Sequence, residues 1–250
     1  MLNIVVPMAG RGSRFADAGY ELPKPLIPVL GKPMITVVIN NLSPNVPHRF
    51  IFLCLQEHIE KYDVEANLKK WAPGCEVVPV KAVTEGAACT VLLAREFIND
   101  SEPLMIANSD QWVDMDINDY LAVMEDEKAD GLIMTMRADS PKWSYIRLTE
   151  LGEITEVVEK EVVSNEATVG IYNFRRGRDF VAAAESMIAR NLRVNNEFYV
   201  APAYNQLIEA GKKIAFYNIG EEYSGMYGIG IPSDLEKFEG FEVSKKAVAF

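Results

Sequence analysis

Two glycines and several cations lie close together near the start of the chain. Gly10 and Gly12 follow the apolar run 2–7, which predicts a short buried strand. Glycine lets backbone N–H groups approach an anion closely, and nearby cations neutralise its charge. The cations of this stretch are Arg11, Arg14 and Lys24. Because the whole chain carries a net charge of −11, this basic stretch predicts a site for a small polyanion such as a nucleoside triphosphate (NTP).

The spacing of the glycines excludes two common phosphate-binding motifs. The dinucleotide fingerprint requires a third glycine three residues after the second, and that position is Phe15. The P-loop ends in Gly-Lys-Ser or Gly-Lys-Thr, whereas Gly31-Lys32 is followed by Pro33. Proline has neither a hydroxyl for magnesium nor a backbone N–H. The glycine stretch therefore belongs to neither class of motif.

Three pieces of sequence match a different pattern. They are residues 8–15 (MAGRGSRF), 23–27 (PKPLI) and 31–35 (GKPMI). In this order and spacing they resemble the signature of the sugar-phosphate nucleotidyltransferases, enzymes that join an NTP to a phosphorylated acceptor and release pyrophosphate. A surface turn with incidental basic residues explains the glycines, but not Pro-Lys-Pro followed by Gly-Lys-Pro. The resemblance implies a nucleotide-diphospho-sugar transferase type fold, an NTP and a phosphorylated small molecule as partners, and Mg²⁺ as cofactor.

The length and composition of the chain fit a single domain, residues 1–250, with a large core. Of the 250 residues, 49% are apolar. The acidic balance argues against nucleic acid or a membrane as partner, because both favour basic patches. No apolar run is long enough to span a membrane and no signal-peptide pattern is found, so a cytoplasmic protein is expected. Cys54, Cys75 and Cys89 lack metal spacing and are expected to be buried free thiols. A homo-oligomer stays open.

Strands and helices alternate along the first half of the chain. Apolar runs such as 50–55 and 103–107 are typical of parallel strands buried on both faces. Helical patterns between such runs indicate βαβ units. The pattern predicts an α/β fold with a Rossmann-like, mixed and mostly parallel central sheet and helices on both faces. The strands are predicted at 2–7, 50–55, 75–80, 103–107, 132–137, 143–148, 154–159, 168–174 and 214–219, and the helices at 33–42, 57–71, 86–97, 117–127, 178–188, 197–210 and 232–238.

The rhythm of the elements changes near residue 131. Residues 1–130 are the predicted NTP-binding half, and ligands of such sheets lie beyond the carboxyl ends of the strands. The glycine stretch and residues 108–110 both follow strands directly, so both are expected at that edge. After residue 131 short strands separated by turns predominate. Residues 131–250 are the predicted acceptor-binding half, built on the same sheet.

Nucleotidyl transfer requires positioning and neutralisation of charge more than covalent chemistry. The resemblance implies that Lys24 reaches the α-phosphate and the acceptor phosphate, while Arg14 and Arg11 bind the β- and γ-phosphates. Pro23 and Pro25 stiffen the backbone on both sides of Lys24. The predicted catalytic residues are Lys24, Arg14 and Asp110. The predicted nucleotide-binding residues are Met8, Ala9, Gly10, Arg11, Gly12, Ser13, Arg14, Lys24, Thr84, Glu85, Gly86 and Ser109.

Residues 84–90 (TEGAACT), the base segment, open a predicted helix after a strand. They resemble the family segment that packs against the nucleobase, and Gly86 would let the base lie against the backbone. The alternative for Thr84 is that it only caps the helix.

Asp110 is the predicted metal ligand. It ends a buried strand, and the resemblance places a magnesium-binding aspartate at this point, although a lone aspartate there also serves as a helix N-cap. Mg²⁺ typically takes one or two carboxylates together with waters and phosphates. The resemblance predicts a second carboxylate in an Asp-x-Gly-Thr-Pro stretch, but residues 228–232 read Gly-Ile-Gly-Ile-Pro. Either one protein carboxylate suffices, or Glu197, Glu221 or Glu222 supplies the second, and Asp234 is expected in the first turn of its helix.

The acceptor side rests on weaker signals. In the family a Glu-Lys pair at the end of a strand binds the acceptor's phosphate, and Glu159-Lys160 matches that position, although the dipeptide alone is common on surfaces. Trp143 and Tyr145 could form an aromatic wall, but buried aromatic residues in strands are the commoner explanation. Residues 170–172 and 196–199 are expected as elements of the acceptor site. The predicted acceptor-binding residues are Glu159, Lys160, Gly170, Tyr172 and Glu197.

Four short strings favour a particular subgroup. Residues 108–111 (NSDQ), 142–145 (KWSY), 159–161 (EKE) and 196–199 (NEFY) resemble cytidylyltransferases of bacterial capsule and surface-polysaccharide synthesis, including the phosphoglutamine cytidylyltransferase type. The prediction is therefore a magnesium-dependent nucleotidyltransferase that uses CTP. Its acceptor stays open between a sugar 1-phosphate and a non-sugar phosphate.

Three other functions stay open at the level of the sequence. The first is a sugar-1-phosphate uridylyl-, thymidylyl- or guanylyltransferase. The second is a catalytically weak, nucleotide-binding regulatory relative, which Gly228 in place of aspartate favours. The third is a glycosyltransferase with a nucleotide-sugar donor, because Asp114-Met115-Asp116 has the letters of an Asp-x-Asp metal motif. That stretch is also expected to begin a helix.

Overall fold

One eleven-stranded sheet runs through the protein, and a computed structural model describes all 250 residues. The strands are β1 (Leu2–Met8), β2 (Pro28–Val29), β3 (Lys32–Pro33), β4 (His48–Leu55), β5 (Glu76–Val80), β6 (Leu104–Ala107), β7 (Gln111–Val113), β8 (Gly131–Arg137), β9 (Ser144–Leu148), β10 (Ile154–Glu159), β11 (Glu166–Phe174), β12 (Ile214–Glu222) and β13 (Gly225–Gly228). The helices are α1 (Ser13–Asp17), α2 (Met34–Leu42), α3 (Gln56–Tyr62), α4 (Val64–Trp71), α5 (Ala87–Leu92), α6 (Arg95–Ile98), α7 (Ile117–Asp126), α8 (Gly177–Ala189), α9 (Tyr204–Glu209), α10 (Pro232–Glu239) and α11 (Ser244–Ala247). Single 3₁₀ turns lie at Lys24–Leu26 and Ala201–Ala203.

The strands of the large sheet follow the order β5-β4-β1-β6-β11-β8-β12-β13-β7, and β9 connects β10 to β11. Every strand on this path except β11 and β7 points the same way. The predicted mixed, mostly parallel sheet is therefore confirmed. Strands β2 and β3 form a separate hairpin. Because β1 and β6 are parallel neighbours, the loops that follow them leave the sheet at the same edge.

Alternating side chains of the central strands face two separate apolar cores. In β1, Ile4 and Val6 belong to one core and Val5 to the other. Helices α2, α4 and α7 contribute to the first core, and α5, α6, α8 and α9 to the second. This two-sided burial explains why the strands read as continuous apolar runs. It also confirms the prediction of helices on both faces.

A third, smaller apolar cluster joins early and late parts of the chain, and we call it the terminal cluster. Its aromatic centre is formed by Trp112, Tyr227 and Phe238, whose ring centroids lie 5.4–5.9 Å apart. Its buried members are Phe15, Ile27, Val29, Met34, Val37, Trp112, Tyr227, Ile229, Leu235, Phe238 and Ala247. The terminal cluster therefore packs the glycine stretch against the last helices.

Three predicted helices are interrupted. The helix predicted at 57–71 is divided into α3 and α4 by Asp63, which has φ 50°. The helix predicted at 86–97 is divided into the short helices α5 and α6. The helix predicted at 197–210 begins only at the 3₁₀ turn before α9, because the backbone groups of Glu197 bond to Val194 and those of Phe198 bond to the 85–88 stretch. Asparagine and aspartate tolerate left-handed backbone, because their short side chains bond locally.

Other expectations from the sequence can be compared directly. The three cysteines are free, and Cys54 and Cys75 are buried, but Cys89 is only half-buried. No helix of the structure is long and apolar enough to cross a membrane. The elements that the sequence did not reveal are the short ones, α1, β2, β3, β7, β13 and α11. The division into nucleotide and acceptor halves stays a prediction.

Candidate active site

The glycine stretch leaves the carboxyl end of β1 and turns at once into the five-residue helix α1. Gly12 has left-handed backbone, φ 62°, and a Cβ there would lie 3.2 Å from the Cβ of Lys24. Phe15, which is 1% exposed, anchors α1 in the terminal cluster. The loop therefore keeps its backbone close to Lys24 because position 12 carries no side chain.

The other predicted residues of this stretch differ in exposure. Met8 and Ala9 are buried, whereas Gly10 is exposed. Arg11, Ser13 and Arg14 are also exposed. The two guanidinium groups are therefore available to an anion from solution.

Lys24 and Asp110 form the central ion pair of the site. The Lys24 Nζ donates a hydrogen bond of 2.7 Å to Asp110 Oδ2, and the two side chains are 20% and 28% exposed. Lys24 begins a 3₁₀ turn with Pro23 before it and Pro25 within it. The structure thus brings together two predicted residues that are far apart in sequence, at the edge where β1 and β6 end.

The loop of Asp110 packs against the glycines of residues 228–230. Ile229 N donates to Asp110 O at 2.9 Å, and a Cβ on Gly230 would overlap Asp110 Oδ2. At Gly228, where the family pattern predicts aspartate, a Cβ would have only Asp234 Oδ2 within 4 Å, at 3.5 Å. Asp234 lies in the first turn of α10, as predicted. A carboxylate thus borders the space that an aspartate at 228 would enter.

The structure also shows where the remaining acidic candidates lie. Glu221 pairs with Arg137, and Glu222 with Lys142. No group of three or more His, Cys, Asp and Glu residues is placed to hold a metal ion. Asp110 is the carboxylate that lies beside Lys24. A single carboxylate is compatible with Mg²⁺, which typically binds one or two carboxylates together with waters and substrate phosphates.

The Asp-x-Asp letters at 114–116 do not form a metal motif. Asp116 caps α7, because its side chain accepts a hydrogen bond from Asn118 N. Asp114 instead pairs with Lys246. The Asp-x-Asp stretch that suggested a glycosyltransferase is therefore the start of a helix, as expected.

The base segment lies against residues 194–199, which we call the acceptor turn. A Cβ on Gly86 would lie 2.5 Å from both N and O of Phe198, so the close approach of this backbone requires glycine at position 86. The Thr84 hydroxyl donates to Gly86 O at 2.9 Å and does not cap α5. Glu85 is exposed. Contact with a base stays a prediction for all three residues.

A cavity of about 300 Å³ opens near the carboxyl end of β6 and next to β11. We call it the acceptor cavity, because four of the five predicted acceptor residues line it: Glu159, Lys160, Gly170 and Tyr172. The fifth, Glu197, does not line it. The lining also includes Asn108 and Lys142, which were not predicted as site residues, together with Trp143, considered for an aromatic wall, and Tyr199, from the predicted acceptor element 196–199. Strings containing them had signalled a subgroup, but single residues could not be chosen without their contacts.

Glu159 is the most deeply buried charged residue of the cavity. Its side chain is 3% exposed and its Oε1 lies 3.6 Å from Lys160 Nζ. Burial raises the pKa of Glu159, while the hydrogen bond from the Ser144 hydroxyl and the charge of Lys160 partly oppose that rise. Lys160 has left-handed backbone, φ 62°, and its Nζ donates to Lys142 O at 2.7 Å. Both residues are thus held by β9 and the loop before it.

Gly170 connects the acceptor cavity to the loop of Asp110. It has φ 80°, and a Cβ there would overlap the amide of Asn108. Asn108 N donates to Gly170 O at 3.0 Å. The register of β11 shifts between Thr168 and Tyr172, whose hydroxyl groups lie 2.9 Å apart. Ser109 is buried in the same loop. One loop, residues 108–111, therefore borders both the ion pair and the cavity.

Comparison with known proteins identifies the class. A family model described as nucleotidyl transferase matches residues 4–214. The chain belongs to the nucleotidyl transferase family.

Named relatives are more distant. The chain is 23% identical over 247 residues to the UTP–glucose-1-phosphate uridylyltransferase of Haloferax volcanii, with 95% of each chain covered. It is 27% identical over 183 residues to the mannose-1-phosphate guanylyltransferase catalytic subunit beta of Dictyostelium discoideum, which covers 69% of this chain and 49% of that protein. The chain thus spans about half the length of the second relative.

Solved structures share the fold. A nucleoside-diphosphate-sugar pyrophosphorylase from Vibrio cholerae RC9 aligns with a TM-score of 0.80 and 22% identity, covering 94% of this chain and 99% of that one. A UDP-glucose pyrophosphorylase complexed with UDP-glucose aligns with a TM-score of 0.74 and 18% identity, covering 95% and 96%. The predicted nucleotide-diphospho-sugar transferase type fold is confirmed.

Proposed function

We propose that the protein transfers a nucleotidyl group from an NTP to a sugar 1-phosphate and releases pyrophosphate. The observation that carries this proposal is the Lys24–Asp110 ion pair, bordered by a loop that also lines the acceptor cavity. The curated relatives described above are named for glucose 1-phosphate and mannose 1-phosphate. They support the sugar-phosphate alternative better than a non-sugar acceptor.

The proposed chemistry is an in-line displacement at the α-phosphorus. An oxygen of the acceptor phosphate forms the new P–O bond, and the bond to the β-phosphate oxygen breaks, so that pyrophosphate leaves with the electron pair. Lys24 neutralises negative charge that develops on the α-phosphoryl oxygens. Arg14 and Arg11, both exposed in the stretch that contacts Lys24 through Gly12, hold the β- and γ-phosphates. Lys160 binds the acceptor phosphate across the loop of Asp110.

The divalent metal is assigned to Asp110 and is Mg²⁺ in this proposal. Asp110 Oδ2 faces a glycine rather than a side chain at position 230, and the side chain is 28% exposed, so a cation from solution can reach the carboxylate. When bound, Mg²⁺ supplies positive charge to the triphosphate. Asp234, near the position of the expected second aspartate, is the chain's own candidate for the second carboxylate.

The preference for one base is the finer part of the proposal. The uridylyl and guanylyl relatives favour UTP or GTP. CTP, with a role in capsule or surface polysaccharide synthesis, has only the four short strings of the sequence in its favour. A catalytically weak regulatory relative would bind an NTP without turnover.

A pyrophosphate-release panel tests the proposal. The protein is incubated with Mg²⁺, each of UTP, GTP, CTP and dTTP, and glucose 1-phosphate, mannose 1-phosphate or a phosphorylated amino acid. Release with a sugar 1-phosphate is expected, and UTP or GTP should be the best donor. The Lys24→Ala variant, which removes the central cation, is the control for contaminating activity. Absence of release from every pair would overturn the proposal, and NTP binding without release would favour the regulatory relative.

A further inference from the structure

Two loops of the candidate site are bonded directly to each other. Phe198 N donates to Glu85 O at 2.8 Å, and Ala88 N donates to Phe198 O at 3.0 Å. The missing side chain at Gly86 makes this approach possible. The base segment and the acceptor turn therefore move together. A shift of one away from the other breaks two backbone hydrogen bonds, and a shift toward it brings the backbone of Phe198 into contact with Gly86.

Arg193 spans the junction between these two loops. Its Nη1 lies 2.6 Å from Glu85 Oε2, and its guanidinium carbon lies 4.4 Å from the centroid of the Phe198 ring. Phe198 is 1% exposed and belongs to one of the two large cores. An exposed ion pair alone contributes little to stability. The planar guanidinium of Arg193 also lies over the buried Phe198 ring, however, and this contact fixes the orientation in which it binds Glu85.

The same loops border the acceptor cavity. Ala87, next to Gly86, lines it, and so does Tyr199, next to Phe198. Lys160 Nζ lies 5.7 Å from the centroid of the Tyr199 ring. Burial, with the charges of Glu197 and Glu159, raises the pKa of the Tyr199 hydroxyl to about 12, so it stays protonated and can donate to an acceptor. Tyr199 directly follows Phe198, whose backbone is bonded to the base segment on both sides.

We propose that Arg193 is a positioning residue that couples the nucleotide site to the acceptor cavity. Resting on the proposed function, this inference assigns Arg193 no contact with either substrate. A nucleotide that orders the base segment also orders the acceptor turn. The conformational entropy lost when the acceptor then binds in the cavity is therefore smaller. Binding of the acceptor must then be tighter with nucleotide present, and the reciprocal effect must have the same size.

The experiment measures this coupling without turnover. The dissociation constants of glucose 1-phosphate and mannose 1-phosphate are measured by calorimetry, with and without the non-hydrolysable α,β-methylene analogues of UTP and GTP. The wild-type protein should bind its sugar phosphate about fivefold or more tightly with its analogue present. In Arg193→Gln this ratio should fall toward one, and KM for both substrates should rise while kcat changes little.

Two further variants make the result specific. Arg190→Gln is the matched control, because Arg190 lies three residues earlier and pairs with Glu209 and Gln206 rather than with the base segment. It should keep the wild-type coupling ratio. Arg193→Lys keeps the charge but not the planar stack, so it should restore the ratio only in part.

Several outcomes would overturn the inference. They are a wild-type ratio of one, an Arg193→Gln ratio equal to that of the wild type, or an equal loss in Arg190→Gln. A thermal melt of each variant checks that the fold is retained. Because binding of the analogues needs no reaction, coupling can be measured even if the pyrophosphate panel fails, and release of pyrophosphate with unchanged coupling refutes only the role of Arg193.

Discussion

Two lysine–carboxylate pairs lie at the two ends of the candidate site, and they are built differently. Lys24 and Asp110 are in direct contact, with 2.7 Å between Nζ and Oδ2, and both are partly exposed. Lys160 and Glu159 are neighbours in sequence, yet Nζ and Oε1 are 3.6 Å apart, and Glu159 is almost completely buried. Lys160 has a second partner, because its Nζ donates to Lys142 O. Lys142, which also lines the acceptor cavity, pairs with Glu222.

The difference indicates different roles for the two carboxylates. An exposed, charge-assisted hydrogen bond can be exchanged for a phosphate or a metal ion at modest cost, because water reaches both partners. A buried carboxylate that loses its hydrogen-bond partner is left as an uncompensated charge away from water, which is strongly destabilising. We infer that Asp110 and Lys24 separate when substrates bind, whereas Glu159 keeps the shape of the acceptor cavity.

Removal of the exchangeable lysine should have the largest effect. Lys24→Ala should lower kcat by about two to three orders of magnitude, as for other groups that stabilise charge in a transition state. Because Lys24 is partly exposed, the melting temperature should change little. Lys32→Ala is a matched control, since Lys32 also lies beside a proline but donates to Phe250 O. Equal activity of Lys24→Ala and Lys32→Ala would show that Lys24 has no special role in the reaction.

Removal of the exchangeable carboxylate should show itself as lost metal affinity. Asp110→Asn should weaken binding of Mn²⁺, followed by electron paramagnetic resonance, by roughly tenfold or more, the range seen for groups that only support a metal ligand. Asp114→Asn serves as the control, because Asp114 pairs with Lys246 instead. If Asp110→Asn binds Mn²⁺ as tightly as the wild type, another residue holds the metal.

The acceptor-side lysine should have a smaller and more selective effect. Lys160→Ala removes a charge-assisted hydrogen bond to the acceptor phosphate, so KM for the sugar 1-phosphate should rise about tenfold. The dissociation constant of the NTP should stay the same, because Lys160 lies across the 108–111 loop from Lys24. Steady-state kinetics with the sugar 1-phosphate varied gives its KM. Calorimetry with the α,β-methylene analogue alone gives the dissociation constant of the nucleotide. A comparable rise in the dissociation constant of the NTP, measured without acceptor, would show that Lys160 also contacts the nucleotide.

The buried carboxylate should give a pH effect on stability. Burial raises the pKa of Glu159 above its ordinary value of 4.5, so the folded state holds the proton more tightly than the unfolded state. Stability is therefore complete below the unfolded value and declines as the pH rises through the folded pKa. In melts between about pH 4 and pH 7, Glu159→Gln should lose less stability than the wild type. Glu156→Gln, on the same strand but paired with Arg147 at the surface, should follow the wild type.

The sequence predicted the parts of the fold that depend on local pattern. The apolar runs of β1, β4 and β6 identified strands, because two-sided burial leaves no polar face. It also predicted that the glycine stretch and residues 108–110 share an edge, since both directly follow strands of a parallel sheet. The break at Asp63 was missed, because nothing in helical periodicity marks a single residue with left-handed backbone.

The acceptor side was harder to predict because contacts distant in sequence define it. Tyr199 and Asn108 line the cavity only because β11 shifts register at Gly170 and the acceptor turn meets the base segment. Gly86 shows the same limit. The contact of Gly86 with a base stays a prediction, but the sequence could not show that the backbone of Phe198 occupies the space at its Cβ.

The terminal cluster has a consequence for local opening of the fold. It packs Phe15 and Ile27, on either side of Lys24 in the chain, against Leu235 and Phe238 of α10. Segments that share one small core open together in native-state hydrogen exchange. The amides of the Lys24–Leu26 turn should therefore exchange at the rate of α10 and not at the slower rate of β1. The hydrogen bond from Leu30 N to Glu239, 209 positions later in the chain, makes the last helices part of the kinetic unit that keeps Lys24 in place.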